Sequence, residues 1–441
     1  MSRLVLSSEL LNQLRAQLLS SPEEACAVLF GRPVIGEGGM SRIVVRDIRN
    51  VADTDYLQRS PVAAQLRPEF VAEVTQRAKR NNESIIFVHS HPFALNSFSA
   101  IDDMGERVLA EFLSGRMPGS VHAAMLVTPE VTIARILGTS RYLKVTGVGA
   151  SLLWGTYPET SGSHEVFDRQ VRAFGQAGQQ RLAELKVGVV GLGGTGSIVV
   201  EQLARLGVRR FRLIDPDLVE QTNLNRLVGA AFTDIGRPKV EVAANQLQKL
   251  NPSVEIDLSC RSVLMSDVAK TLVDTDFVFC CTDSQGSRAV LNQFAYQYLV
   301  PIIDMGVAVI VSNQLVTQIA GRVQMLAPGL GCLVCGNLLD PEAVRLDLLT
   351  EFERSADPYI VGFHEPAPAV ISLNGTVASL AVTMFLSATL GVPGEARLIN
   401  YNGISGTARP AMIHRHPTCI SCSARYALAR ADEWQLPGRL T

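Results

Sequence analysis

The stretch "HSHPFALNSFSAID", His89 to Asp102, sets two histidines one residue apart and follows them with Ser99 and Asp102. Side chains alternate along an extended chain, so the imidazoles of His89 and His91 project from one side and can reach one ion. Asp102, on a following helix, can add an oxygen. Two nitrogens and one oxygen make three protein ligands, which leaves the fourth position of a tetrahedral zinc ion for water. That arrangement is catalytic, because the metal lowers the pKa of water toward about 7 and polarises a carbonyl. A general base is still required, and a carboxylate from elsewhere in the chain can supply it. A His-x-His at a strand end with a later aspartate is common by chance. The full spacing, with Ser99 in its place, is much rarer.

A second constellation lies further along. "GLGGTG", Gly191 to Gly196, follows an apolar strand-like run and opens a helix-like one. Glycines let the backbone approach a phosphate, and a helix N-terminus favours its charge. Asp215 ends the next strand-like run, where a ribose-binding carboxylate belongs. A dehydrogenase of the Rossmann type would share these features. It would not need the residues around them: "FDRQVRAFG" gives Arg169, "TNLNR" gives Asn223 and Arg226, "GRPK" gives Lys239, and "CCTD" gives Asp283. Forming an acyl adenylate does need such a set, because ATP brings a triphosphate and pyrophosphate must leave. Arginine and lysine neutralise that charge, and an aspartate can hold Mg²⁺. Each residue alone reads as a surface charge; together, in this order, they point to ATP.

Two C-x-x-C pairs, Cys332/Cys335 and Cys419/Cys422, form a third constellation. Four thiolates close the tetrahedral shell of a structural zinc, and two knuckles distant in sequence can meet in space. The other cysteines, Cys26, Cys260, Cys280 and Cys281, lie in apolar strand-like runs and are expected to be packed core thiols.

The elements that must position these residues change character along the chain. Early on, "SSELLNQLRAQLLS" has helical spacing with Ser7 or Ser8 as cap, and "PEFVAEVTQRAKRNN" reads as a second helix. "ACAVLFG", "SIIFVHSHP", "SVHAAMLVTP" and "TIARILG" read as strands, the second ending at the histidines. After a stretch rich in Gly, Ser, Thr and Pro, strand and helix alternate. "LKVGVVGLGG", "RRFRLIDPD", "VEIDLSC" and "DFVFCCTD" are strands; "SIVVEQLARLG" and "RPKVEVAANQLQKLNP" are helices. Alternation with a glycine turn after the first strand predicts a doubly wound, parallel sheet.

Composition sets the outer bounds. The chain has 441 residues, 47 % hydrophobic and 19 % charged, with 40 Lys+Arg against 42 Asp+Glu. These values fit a packed two-domain protein and give no basic character for nucleic acid. The N-terminus lacks the apolar core and small-residue cleavage site of a secretory signal. Ile371 to Pro393 carries no charge and is long enough to span a bilayer, but its Asn, Ser and Thr residues favour a buried helix. A cytoplasmic protein with no membrane partner is expected.

The first constellation resembles the JAB/MPN metalloprotease (JAMM) family of isopeptidases, over roughly residues 1–145. "EEACAVLFG" looks like that family's general-base segment, and the spacing to Gly31 selects Glu24 over Glu23. The resemblance implies that His89, His91 and Asp102 bind a catalytic zinc, Glu24 activates water, and Ser99 helps hold the oxyanion. The second constellation resembles the ThiF/MoeB family, the adenylating module of ubiquitin-activating enzymes, over about 166–425. It implies a phosphate loop of Gly191, Gly193, Gly194 and Gly196, with Asp215 on the ribose. Asn223, Arg226 and Lys239 would meet the phosphates, Asp283 would take Mg²⁺, and Arg169 would act as an arginine finger, often supplied across a homodimer. The family also pins its C-terminal segment with a four-cysteine zinc. One departure matters: relatives that form a thioester carry a cysteine in the loop after the first knuckle, and no cysteine lies between Cys335 and Cys419 here.

The expected organisation is a mixed α/β JAB/MPN domain at 1–148, a linker at 149–165, a Rossmann-like ThiF/MoeB domain at 166–430 and a tail at 431–441. The leading expectation is a bacterial enzyme that trims or deconjugates a ubiquitin-like protein and activates its C-terminal glycine, working with a conjugating-type enzyme. Activation of a sulfur-carrier protein is the second enzymatic reading. A non-catalytic scaffold for ubiquitin-like tails is the reading of a different class.

Overall fold

The structure is a computed structural model and describes residues 2–93, 95–156, 165–350, 353 and 368–439. Part of the expected linker (157–164) and part of the cysteine-free stretch (351–352 and 354–367) lie outside the described residues. The chain forms two compact units. The first comprises Met1–Tyr157, Gln297–Leu299 and Ala427–Trp434; the second comprises Pro158–Tyr296, Val300–Tyr426 and Gln435–Thr441.

In the first unit, β1 (Arg3–Ser7) leads into α1 (Ser8–Leu18). The Ser7 hydroxyl caps the helix, accepting from the Leu10 N–H at 3.2 Å. Its apolar positions Leu11, Leu14 and Leu18 recur at helical spacing and are buried. β2 (Cys26–Gly36) and β3 (Gly39–Asn50) form a long hairpin, and β4 (Tyr56–Ser60) with β5 (Ala63–Leu66) a small separate one. Then come α2 (Pro68–Asn81), β6 (Ser84–Ser90), α3 (Ala100–Arg116), β7 (Ala123–Val127), β8 (Thr132–Ile136), β9 (Tyr142–Val148) and β10 (Leu153–Trp154). β10 pairs with β9, so the stretch expected as linker begins as a sheet strand.

The sheet order is β1-β3-β2-β6-β7-β8-β9-β10, and β1 also pairs with β9. Seven strands therefore close into a ring. Both faces are buried: Ala27 and Leu29 of β2 pack with Leu11 and Leu14 of α1, while Val28 and Phe30 pack with Phe70 and Val74 of α2 and Leu113 of α3. Burial on both faces gives β2 and β6 their continuous apolar runs in place of alternation.

The second unit begins with α4 (Asp168–Glu184), β11 (Lys186–Val190), α5 (Gly194–Arg205), β12 (Arg210–Ile214), α6 (Lys239–Leu250) and β13 (Glu255–Ser259). It continues with α7 (Ser266–Lys270), β14 (Phe277–Cys280), α8 (Gln285–Gln297), β15 (Ile302–Ser312) and β16 (Leu315–Leu326). Last are α9 (Pro341–Leu348), α10 (Ile371–Leu390), β17 (Leu398–Asn402) and β18 (Thr407–Pro410). The sheet order is β13-β12-β11-β14-β15-β16-β17-β18. Its first five strands are parallel and the remaining pairings antiparallel. β11 lies between β12 and β14, so strand order reverses at its C-terminal end, the place where such sheets bind ligands.

Helix α10 is the uncharged stretch, and by length and composition it could cross a membrane. Leu373, Val377, Ala381, Phe385 and Ala388 are buried. Phe385 meets Phe277 edge-on at 5.0 Å and Phe279 at 5.5 Å. Burying one such side chain is worth about 1.5–3 kcal/mol, so this helix has a protein core to occupy, as its polar interruptions lead one to expect.

Candidate functional site

The metal-type site is built by strand pairing. Cys26 of β2 lies opposite His89 of β6. One step further along the antiparallel ladder, the Ser90 N–H donates to the Ala25 carbonyl at 2.9 Å while the Ala25 N–H donates to the Ser90 hydroxyl at 3.0 Å. The next step sets Glu24 against His91, and residues opposite each other share a face. The Glu24 carboxylate lies 3.6 Å from His91 Nε2 and is buried. Its backbone is gripped from β4: Glu24 N–H donates to the Ser60 carbonyl, and Arg59 Nε donates to the Glu24 carbonyl, each at 2.9 Å.

Asp102 arrives from the first turn of α3. Its carboxylate lies 3.2 Å from His89 Nε2 through one oxygen and 3.4 Å from His91 Nε2 through the other. One donor atom from each of the three side chains lies within 4.8 Å of the other two, so a single ion could draw them together. His89 Nε2 is buried and has no hydrogen-bond partner among the described residues. A buried ring nitrogen whose polar neighbour is the Asp102 carboxylate fits a ligand lone pair aimed into the cluster. The other ligand is oriented from behind, since His91 Nδ1 meets the Leu95 carbonyl at 3.1 Å. Burial opposes ionisation of Asp102, but the two imidazoles outweigh it and hold its carboxyl well below the usual range. Burial pushes the Glu24 carboxyl up, partly offset by His89 and His91. Ser99 acts locally: its hydroxyl accepts from the Asp102 N–H at 3.2 Å and its N–H donates to Asp102 Oδ2 at 2.6 Å. This reciprocal cap fixes the start of α3 and the rotamer of the ligand it carries.

The nucleotide-type site lies at the switch point. Gly191 has φ of +87°, a left-handed conformation that favours glycine, and a Cβ there would meet Cys281 and Thr282 backbone at 2.9 Å. A Cβ on Gly196 would come within 1.9 Å of the Gly191 carbonyl oxygen, and one on Gly194 within 2.1 Å of Asn374 Nδ2. Only Gly193, the residue before α5, has nothing within 4 Å of such a position. Three of the four glycines thus serve the chain's own packing, and Gly193 is the one open to a phosphate.

Around this loop the structure gathers several of the expected partners. Arg226 Cδ would lie 3.3 Å from a Cβ on Gly194. Asp215 is buried, with its carboxylate accepting from the Leu192 N–H at 2.5 Å and the Asp217 N–H at 2.8 Å. It therefore ties the glycine loop to the turn after β12, and burial raises its pKa. Lys239 Nζ is held by Asp217 at 2.8 Å. Asn223 accepts from the Glu220 N–H at 3.2 Å through its side chain, shaping the turn that delivers Arg226. Asp283 is exposed between β14 and α8, directly after the Thr282 backbone that touches Gly191. Arg169 is exposed in the first turn of α4, and among the described residues no hydrogen bond or ion pair joins it to the loop. Asn374 and Asp217 are not singled out by the sequence reading. A lone amide in the apolar run "VISLNGTVASLAV" is the signal that marks Asn374.

The four knuckle cysteines converge. Cys332 Sγ lies 3.6 Å from Cys335 Sγ and 3.5 Å from Cys419 Sγ, and Cys335 lies 3.5 Å from Cys422. These are not disulfide distances. They approach the roughly 3.8 Å edge of a tetrathiolate with Zn–S bonds of about 2.3 Å. Hydrogen bonding from Cys422 lowers the pKa of Cys332, while burial raises that of Cys419 and the shared hydrogen bond to Cys332 raises that of Cys422, the opposed shifts of thiols that share protons within one cluster. Elsewhere, Cys26 and Cys280 are buried and Cys281 is half-buried, but Cys260 is exposed, contrary to expectation. It follows the last residue of β13, an edge strand, where the sheet no longer covers it. Purified protein is expected to hold two zinc ions per chain, matching the two clusters. Elemental analysis returning one or none would remove one of these sites.

Comparison with known proteins gives both halves a lineage. The ThiF family matches residues 167–421, and prokaryotic homologs of the JAB domain match residues 7–136. The adenylyltransferase and sulfurtransferase UBA4 of Meyerozyma guilliermondii is 36 % identical over 144 residues, covering 32 % of this chain but only 34 % of that protein. Molybdopterin-synthase adenylyltransferase of Salmonella typhimurium is 30 % identical over 261 residues, covering 58 % of this chain and 95 % of that protein. SAMP-activating enzyme E1 of Haloferax volcanii is 28 % identical over 250 residues, covering 56 % and 84 %. The chain belongs to the ThiF family and carries an N-terminal JAB domain ahead of its ThiF/MoeB-like domain.

Proposed function

We propose that this protein processes and activates a ubiquitin-like protein: the JAB domain cleaves at the protein's C-terminal glycine, and the ThiF domain adenylates the carboxylate so exposed. One observation carries the reading. Two separate clusters, Glu24 with His89, His91 and Asp102, and the Gly193 loop with Arg226 and Lys239, suit two reactions that meet at one chemical group.

In the first reaction, zinc held by His89, His91 and Asp102 would supply Lewis acidity. Glu24 takes a proton from the attacking water as its oxygen bonds to the carbonyl carbon, then delivers that proton to the leaving amine. Ser99 keeps Asp102 in place. In the second, the carboxylate oxygen attacks the α-phosphorus of ATP and the bond to pyrophosphate breaks. The open backbone at Gly193 receives phosphate, Arg226 and Lys239 balance the charge of the leaving pyrophosphate, and Asp283 would hold Mg²⁺. Lys239 must exchange Asp217 for phosphate to do so. Arg169, exposed and without an ion pair among the described residues, suits a finger supplied to a second copy in a homodimer. The four-cysteine zinc would be structural.

Relatives named for molybdopterin synthase and sulfur transfer favour a second reading, in which the activated protein is a sulfur carrier. With no cysteine between Cys335 and Cys419, three fates stay open in either pathway: direct use of the adenylate by a separate acceptor, transfer to another group of this chain such as the exposed Cys260, a Ser or a Thr, or release of the adenylate as product. The test is to mix the protein with ATP, Mg²⁺ and a glycine-ending ubiquitin-like protein and read intact masses without reductant. AMP on the small protein with no adduct on this chain is the expected result. No AMP transfer, and no pyrophosphate exchange, with any such protein would leave a binding scaffold as the better reading.

A further inference from the structure

Behind the metal-type site lies a second cluster that performs no step described so far. Arg135 of β8 and Glu106 of α3 are 8 % and 6 % exposed. Arg135 Nε donates to both Glu106 oxygens at 3.1 Å, and Nη2 donates to Glu106 Oε1 at 2.8 Å and to Asp103 Oδ1 at 2.6 Å. Gly138 N–H adds a bond to Glu106 Oε2 at 3.3 Å. The same guanidinium stacks 3.9 Å from the centre of the Phe98 ring, which is itself 5.9 Å from the His89 ring.

We infer that Arg135 is a positioning residue of the metal centre, acting on Asp102 through Glu106 and on His89 through Phe98. The inference rests on the zinc reading given above. Glu106 follows Asp102 by one helical turn, so the two share a face of α3. A planar fork clamped on Glu106 and Asp103 fixes both the rotation of α3 about its axis and its height over the sheet. That sets where the Asp102 oxygens stand. Phe98 directly precedes Ser99, so stacking holds the entry to the cap as well as the ring beside His89. Two of the three ligands are thereby referred to one guanidinium, which itself touches neither.

Stability alone does not account for the pair. Taking two charges out of water is costly, and a well-packed apolar pair commonly serves a core as well or better. What an apolar pair lacks is a fixed angle. Lysine lacks it too, having neither the fork nor the flat face for stacking.

The test uses the full chain and zinc competition against a chromophoric chelator, with the four-cysteine zinc as an internal reference. Arg135→Lys is expected to weaken zinc at the three-ligand site about 10–100-fold while the reference site keeps its affinity. Should lysine prevent folding, Arg135→Met with Glu106→Met removes both charges together and restores packing; it is expected to fold and still bind zinc weakly. Wild-type affinity in either folded variant would overturn the inference, as would failure of both variants to fold, which would make the pair structural. A wild-type chain that loads only the four cysteines would overturn the zinc reading itself and this role with it.

Discussion

Glu24→Gln is expected to lower the rate of peptide-bond cleavage by about 10²–10⁴-fold and to leave ATP–pyrophosphate exchange at the wild-type level. The amide keeps the size and planarity of the carboxylate, so the ladder of β2 against β6 and the grip of Arg59 and Ser60 on the Glu24 backbone are undisturbed. What the amide lacks is the ability to take a proton, the role proposed for Glu24, whose carboxylate lies 3.6 Å from His91 Nε2. The proposed adenylation makes no use of that group, because the glycine loop, Arg226 and Lys239 belong to a different cluster. Both activities are measured on one preparation: cleavage of a ubiquitin-like precursor by mass, exchange by labelled pyrophosphate. If Glu24→Gln removed exchange as well, the two sites would not be chemically independent.

Gly196→Ala is expected to slow adenylation by about 100-fold and to lower the unfolding midpoint by about 4–10 °C, while Gly193→Ala is expected to weaken ATP binding without lowering that midpoint. The added methyl at 196 would sit 1.9 Å from the Gly191 carbonyl oxygen, and a backbone atom cannot swing aside as a side-chain end can. Overpacking of this kind costs about 1–3 kcal/mol, or several degrees in a domain of this size. The loop must also move, and with it the N–H groups proposed to receive a phosphate. At Gly193 a methyl meets no protein atom within 4 Å, so only the ligand feels it. Thermal melts and exchange kinetics on the two variants separate the cases. A Gly196→Ala enzyme with wild-type exchange would refute the assignment of this loop.

Much of the candidate chemistry is legible in the sequence because it is encoded as spacing. His89, His91 and Asp102 come from one strand end and the next helix, so local geometry nearly determines their meeting. Glu24 lies far off in sequence, and only a motif spacing singles it out; the physical reason, a ladder offset from Cys26–His89, needs the pairing register. The five parallel strands of the second unit's sheet follow from alternation; the antiparallel strands β16 to β18 that extend it do not. Closure of the first sheet does not, since β3 in "SRIVVRDIRN" is buried along half its length and exposed along the rest and carries no clean period. Cys260 departs from expectation because an apolar run does not tell an edge strand from a central one. Arg135 and Glu106 are invisible for a related reason: each reads as an ordinary surface charge until β8 and α3 are seen side by side.

Ring closure also bears on how the first unit comes into being. β1 pairs with β9 from Arg3↔Lys144 through Ser7↔Val148, so the first strand to be made is sealed by nearly the last. Contacts this distant in sequence slow folding, because the loop must close before the contact rewards it. On the ribosome, where the N-terminal end emerges first, the β1 edge stays open until Val148 has appeared, and an open edge invites pairing with other chains. A nascent chain stalled before β9 is the form most in need of protection, and completion of the ring, more than the arrival of any metal, is the event that ends its exposure.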